Sequence, residues 1–145
     1  MCDLPDLSSL KSSVRASPAS RRAYRAARYV ILQNILHNYY GGLVILSDAI
    51  AAVRSRGLSM EDDETKEAAI DLLDSRRQFQ FVRPRDVDEI IELLRLHELA
   101  NWFIEGLKKT MGCAIGMPER EWSPFLPIQV SGEERRRFYR GFYRL

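Results

Sequence analysis

The chain has 145 residues, 46% of them hydrophobic and 29% charged. Those are the proportions of one ordinary globular domain spanning 1–145, and they exclude disorder along the whole chain and a fibrous repeat. Lys plus Arg is 22 against 20 Asp plus Glu, a net charge of +2 that selects no class of partner.

In chain order, Leu4, Leu7, Leu10 and Val14 are spaced for a short amphipathic helix, with Pro5 near its start. Ser17-Pro18 ends it and begins the next, since the serine hydroxyl caps free amides and proline at the first helical position has no amide to leave unpaired. This second helix carries Ala23, Ala26, Ala27, Val30, Ile31 and Ile35 toward Asn38. Gly41-Gly42 breaks the chain. Leu43, Leu46, Ile50 and Val53 then repeat at helical spacing up to Gly57, which sits where a helix C-terminus favours glycine. Beyond Ser59, the acidic residues Glu61, Asp62, Asp63 and Glu64 suit a helix first turn, and Arg76-Arg77 suit its last. Gln78-Phe79-Gln80-Phe81-Val82 makes at most a short extended linker before Pro84.

The longest helix is expected from about Asp86 to Thr110, with Gly112 just beyond. Its apolar residues cover most of the circumference, so it reads as a central helix buried on several sides. From 111 to 130 the glycines and prolines (Gly112, Gly116, Pro118, Pro124, Pro127) argue for a long loop without regular structure, pinned by Trp122, Phe125, Leu126 and Ile128. Ser131 caps a last helix over 131–145, rich in arginine and aromatics. The expected fold is all-α: a single irregular domain of about six helices around the long helix at 86–110.

Two cysteines, Cys2 and Cys113, make no disulfide framework, no apolar run approaches the roughly 18 residues of a membrane span, and the start MCDLPDLSSL lacks the pattern of a signal peptide. The expectation is an intracellular protein, cytoplasmic or nuclear, with no membrane partner.

No enzyme signature survives inspection. His97-Glu98-Leu99-Ala100-Asn101 falls one residue short of the zinc-protease HExxH, because Asn101 stands where the second ligand belongs, and His37 is the only other histidine. His97 reads better as a partly buried helix residue bonded to a neighbour. Cys113 has Lys108 and Lys109 a turn upstream but no histidine nearby in sequence to form a thiolate, and plain packing accounts for it. Gly112 and Gly116 form no phosphate loop, and Glu61, Asp62 and Asp63 are explained by capping. The chain is read as non-enzymatic, with no catalytic residues, metal or cofactor.

Charge is patterned even so. Between Asp6 and Asp48 there is no carboxylate, while Lys11, Arg15, Arg21, Arg22, Arg25 and Arg28 fall in the gap. The last helix adds five arginines, Arg140 among them, beside Phe138, Tyr139, Phe142 and Tyr143. Arginine with exposed aromatics suits single-stranded nucleic acid, making Arg21, Arg22, Arg25, Arg28 and Arg140 candidate contacts. A solvated basic face is the plainer reading, neutralised in part by the seven carboxylates between Glu61 and Asp74. Apolar surface expected at both ends also suits a homodimer.

Leu7-Ser8-Ser9-Leu10-Lys11, then Val14-Arg15-Ala16-Ser17-Pro18, Tyr24, Arg28 and Ile31-Leu32, resemble the second half of the F-box region in fungal F-box-like proteins. The run from Val130 through Ser131, Glu134, Arg135, Arg137, Phe138 and Arg140 to Phe142-Tyr143-Arg144 is similar to a segment common in the helical C-terminal part of that family. The family's opening helix, of the form LP-x-E-I/L-x-x-x-I, has no counterpart after Leu4-Pro5, and family chains continue beyond the FYR segment. The resemblance is therefore to a member shortened at both ends, with 1–38 matching the C-terminal half of an F-box region. It implies a protein–protein interaction domain near substrate recruitment for ubiquitin ligation, with Leu7, Leu10, Val14 and Ile31 facing a Skp-type adaptor. The alternatives are a helical nucleic-acid-binding module and a truncated gene product without independent function.

Overall fold

The computed structural model describes residues 7–41, 46–78, 83–112 and 118–144. Among these residues the fold is all-α, with seven α-helices, one 3₁₀ turn and no strand. The helices are α1 (Leu7–Ala16), α2 (Pro18–Tyr40), α3 (Leu46–Arg54), α4 (Asp63–Arg77), α5 (Val87–Thr110), α6 (Glu119–Trp122) and α7 (Gly132–Phe142). Leu4, Leu43, Cys113 and the linker 79–82 lie outside the described residues.

The predicted boundaries of the two long helices hold. The Ser17 hydroxyl accepts from the Ser20 amide at 3.0 Å with Pro18 in the first turn, and α2 runs on with a kink at Ala27. The Asp86 carboxylate accepts from the Glu89 amide at 2.8 Å to start α5. Asp62, in the acidic stretch, caps α4, its carboxylate accepting from the Glu64 amide at 3.2 Å. Gly41 ends α2 in a spot where a Cβ would collide with the carbonyl oxygen of His37. Gly57 follows α3 at φ +79°, in the left-handed region where glycine carries no penalty.

α5 is the axis. α2, α3 and α7 pack against it, α1 rides on α2, and α4 rides on α3. Ile90, Leu93, Leu94, Ala100 and Ile104 on α5 meet Leu32, Ile35 and Leu36 of the second half of α2 and Ala49 and Ile50 of α3. Each such leucine or isoleucine removed from water contributes about 1.5–3 kcal/mol before entropy is counted. The Tyr40 hydroxyl donates to the carbonyl of Leu93 at 3.0 Å inside this core. Arg54 clamps Glu89 with two hydrogen bonds of 2.6 and 3.1 Å, fastening the end of α3 to the start of α5.

Two expectations are corrected. The segment 111–130 is not without regular structure, because α6 and the 3₁₀ turn Ser123–Phe125 lie within it. Pro118 and Pro124 sit at the start of these turns, where proline favours a helix instead of breaking it. The segment is pinned by polar contacts: the Trp122 indole N–H donates to the Met111 carbonyl at 3.0 Å, and the Ile128 amide to the Lys108 carbonyl at 3.1 Å. Leu126 and Ile128 are half-buried, whereas Phe125 stays exposed. The second correction concerns α5, whose apolar girdle is only partly covered: Leu99, Trp102 and Phe103 face solvent.

Candidate interaction surfaces

α1 is held by Leu10, which is buried, and by Leu7 and Val14, which are half-buried against the core. The Leu7 amide also donates to the Tyr39 hydroxyl at 3.2 Å. Three of the four residues expected to face a partner, Leu7, Leu10 and Val14, line one groove of about 320 Å³ between α1, α2 and α5. Tyr24, Leu32, Ile91 and Leu94 complete its apolar walls. Ile31, the fourth, packs half-buried against the core and is not part of the lining. Lys11, Arg15 and Arg95 stand at the rim with Glu98 as the sole carboxylate among the lining residues. Arg95 bonds Glu92 at 2.6 Å, and this contact together with that of Arg56 holds the Glu92 carboxyl below the usual range.

Beside the groove, Arg21, Arg22, Arg25 and Arg28 are exposed along the first half of α2, and none makes an ion pair among the described residues. At 100° per residue Arg21, Arg22 and Arg25 share one face, with Arg28 a turn further on past the kink. No carboxylate occupies the first turn of α2, so these cations add to the positive end of the helix dipole instead of offsetting it.

The acidic helix does not neutralise that face. Among the described residues its carboxylates enter one ion pair, Asp74 with Arg77 of the same helix. Asp48 on α3 takes the bridging role, receiving Arg76 at 3.1 Å and Arg144 at 3.2 Å. On α7, Arg135 pairs with Glu105 and Arg137 with Glu133, each at 3.0 Å, while Arg140 remains exposed without an ion pair among the described residues. Tyr139 and Tyr143 are buried, so two of the four aromatics of α7 are core rather than stacking surface.

His97 is only 5% exposed. The rings of Tyr39, Tyr40 and Tyr139 lie 4.9–5.0 Å from its own, and its Nδ1 is 3.0 Å from the Tyr143 hydroxyl. Burial, with Arg135 nearby, pushes its pKa down to about 4, so the imidazole is neutral. Burial likewise pushes the phenols of Tyr40 and Tyr143 up. Asn101 accepts the Tyr139 hydroxyl hydrogen bond. The near-HExxH segment thus builds an aromatic cage, and no group of three or more His, Cys, Asp or Glu among the described residues is placed to hold a metal ion. No described helix is long and apolar enough to cross a membrane.

Sequence reasoning missed Asp48, because nothing local marks a carboxylate that serves Arg76 and Arg144 from far along the chain. It also missed the tyrosine cage, although the i, i+4 spacing of Tyr139 and Tyr143 was a visible signal. Compared with family models, curated proteins and solved structures, the chain matches none.

Proposed function

We propose that this protein is a non-enzymatic protein–protein interaction domain of the F-box-like kind, and that it recruits its partner through the groove between α1, α2 and α5. The observation that carries the reading is that Leu7, Leu10 and Val14, the residues of the F-box-like motif, line an apolar groove with a basic rim. Such a groove suits an amphipathic helix bearing apolar anchors and acidic flanks, the helix-in-groove mode of recognition. The Skp-type adaptor of a ubiquitin ligase is the partner the resemblance implies. Lys11 and Arg15, neither ion-paired among the described residues, would steer and orient an acidic partner more than they add affinity. A pull-down with a fungal Skp-type adaptor, at low and high salt beside a full-length F-box control, tests this. Retention at both salts supports the reading; no retention while the control binds refutes it.

Nucleic-acid binding is the second reading, favoured by one observation: four exposed arginines, without an ion pair among the described residues, beside exposed Tyr29 on α2. The groove speaks against it, since its walls are aliphatic apart from Tyr24 and offer no stacking platform. Binding of a single-stranded oligonucleotide that weakens steeply with salt, and is lost when Arg21, Arg22, Arg25 and Arg28 become Ser, would favour it over the adaptor reading.

A further inference from the structure

Where the end of α7 meets α3 and α4, a pocket of about 190 Å³ opens that shares no lining residue with the groove between α1, α2 and α5. Its apolar walls are Ala51 and Ala52 of α3, Leu72 and Leu73 of α4, and Phe142. Two guanidiniums, Arg76 and Arg144, line the same pocket, and no carboxylate does among the described residues. Both reach Asp48: Arg76 places Nε and Nη2 at 3.2 and 3.1 Å from Oδ1, and Arg144 places Nε at 3.2 Å from Oδ2. The Asp48 side chain is 11% exposed and lies outside the lining, so it anchors both cations without filling the pocket. One carboxylate against two guanidiniums leaves one positive charge over. The Nη1 donor of Arg76 and both Nη donors of Arg144 make no hydrogen bond among the described residues. The Ser55 hydroxyl is spent on the Ala52 carbonyl, and the Tyr143 hydroxyl on His97. A ligand entering here meets an apolar wall and a pair of guanidiniums with donors to spare.

We propose that this pocket binds a small apolar carboxylic acid, its carboxylate on the spare Nη donors of Arg76 and Arg144 and its hydrocarbon part against Leu72, Leu73 and Phe142. Charge, wall chemistry and size each select that occupant. Guanidinium donors match the paired oxygens of a carboxylate and form charge-assisted hydrogen bonds with it. The surplus of one positive charge suits a monoanion, whereas a phosphate monoester brings close to two negative charges. Apolar walls with a few convergent polar groups are the usual build of a small-molecule site, and a bare inorganic anion would leave those walls unused. A cavity of about 150 Å³ holds a benzene ring, so the pocket has room for one ring or branched chain with its carboxylate, about ten non-hydrogen atoms in all.

Proton–nitrogen correlation spectra of the full chain, titrated with phenylpropionate at pH 7 and constant ionic strength, test the proposal. The expected result is saturable shifts in the amides of 51–55, 72–76 and 142–144, half complete at about 0.1–1 mM, as befits a ligand of this size. Neutral phenylpropionamide, which keeps the ring and loses the charge, and inorganic phosphate, which keeps the charge and lacks the ring, should each bind at least about tenfold more weakly. Arg76→Gln and Arg144→Gln each remove one guanidinium and should weaken the acid about tenfold. Arg77→Gln alters an arginine of α4 outside the pocket and should leave binding unchanged. The dispersion of each variant's spectrum shows whether it is folded. Any one of three results would overturn the proposal: no saturable shift by about 20 mM acid, shifts that the amide or phosphate matches at equal concentration, or folded Arg76→Gln and Arg144→Gln chains that bind as the wild type does.

Discussion

Acid should weaken this fold through His97 well before the carboxylates titrate. In the unfolded chain the imidazole has an ordinary pKa near 6.5, whereas in the fold burial among Tyr39, Tyr40 and Tyr139 lowers it to about 4. Above pH 6.5 neither state binds the proton, and the stabilisation is complete. As pH falls from 6.5 toward 4 only the unfolded chain takes the proton, so stability is lost, by about 1.4 kcal/mol at pH 5.5 and about 2.6 kcal/mol at pH 4.5. Glu89 and Glu92 are held below the ordinary carboxylate range by their arginine partners. Their contribution is present above that range and is lost only as pH falls further, so the window from 6.5 to 4.5 belongs to His97. His97→Phe keeps a ring inside the cage but has nothing to protonate. It costs about 1–3 kcal/mol at neutral pH, because the Tyr143 hydroxyl gives up a buried partner. Urea unfolding followed by circular dichroism at pH 7.5, 6.5, 5.5 and 4.5 measures the slope. The wild type should lose stability across the window and the variant should not, while His37→Gln, altering an exposed residue of α2, should behave as the wild type. A wild type as flat as His97→Phe, or a variant that keeps the slope, would refute the reasoning.

Two further substitutions probe how the helices are held. Gly41→Ala forces a Cβ onto the carbonyl of His37 at the end of α2 and should cost about 1–3 kcal/mol; an unchanged thermal midpoint would contradict this. Asp48→Asn leaves Arg76 and Arg144 without their shared carboxylate, at a cost of about 1–3 kcal/mol. Amide exchange should quicken from 140 to 144 as the end of α7 loosens, and exchange equal to that of the wild type there would count against the role given to Asp48.

The helix starts at Ser17-Pro18, Asp86 and Ser131 were legible because a cap is written within four residues. So was the apolar side of α1, since Leu7, Leu10 and Val14 repeat at helical spacing. Which apolar side is covered was not legible, because that depends on what arrives from elsewhere in the chain. Periodicity gives α5 an apolar girdle, but only the crossing of α7 decides that Ile104 is buried while Trp102 is left in solvent. The groove shows the same division. Its α1 wall could be read in advance, whereas Ile91, Leu94 and Arg95 of the opposite wall come from about eighty residues away. The prolines of 111–130 misled for a different reason: proline breaks a helix interior but suits a first turn, and composition alone does not tell the two apart.

The measurement that bears most directly on the groove is amide hydrogen exchange of the chain alone and with saturating Skp-type adaptor. The account predicts new protection in α1, in α2 near Tyr24, and in α5 from Ile91 to Glu98, with the 100–110 stretch of α5 unaffected. No complex at any adaptor concentration, or protection confined to α7 and the Trp102 face, would contradict it.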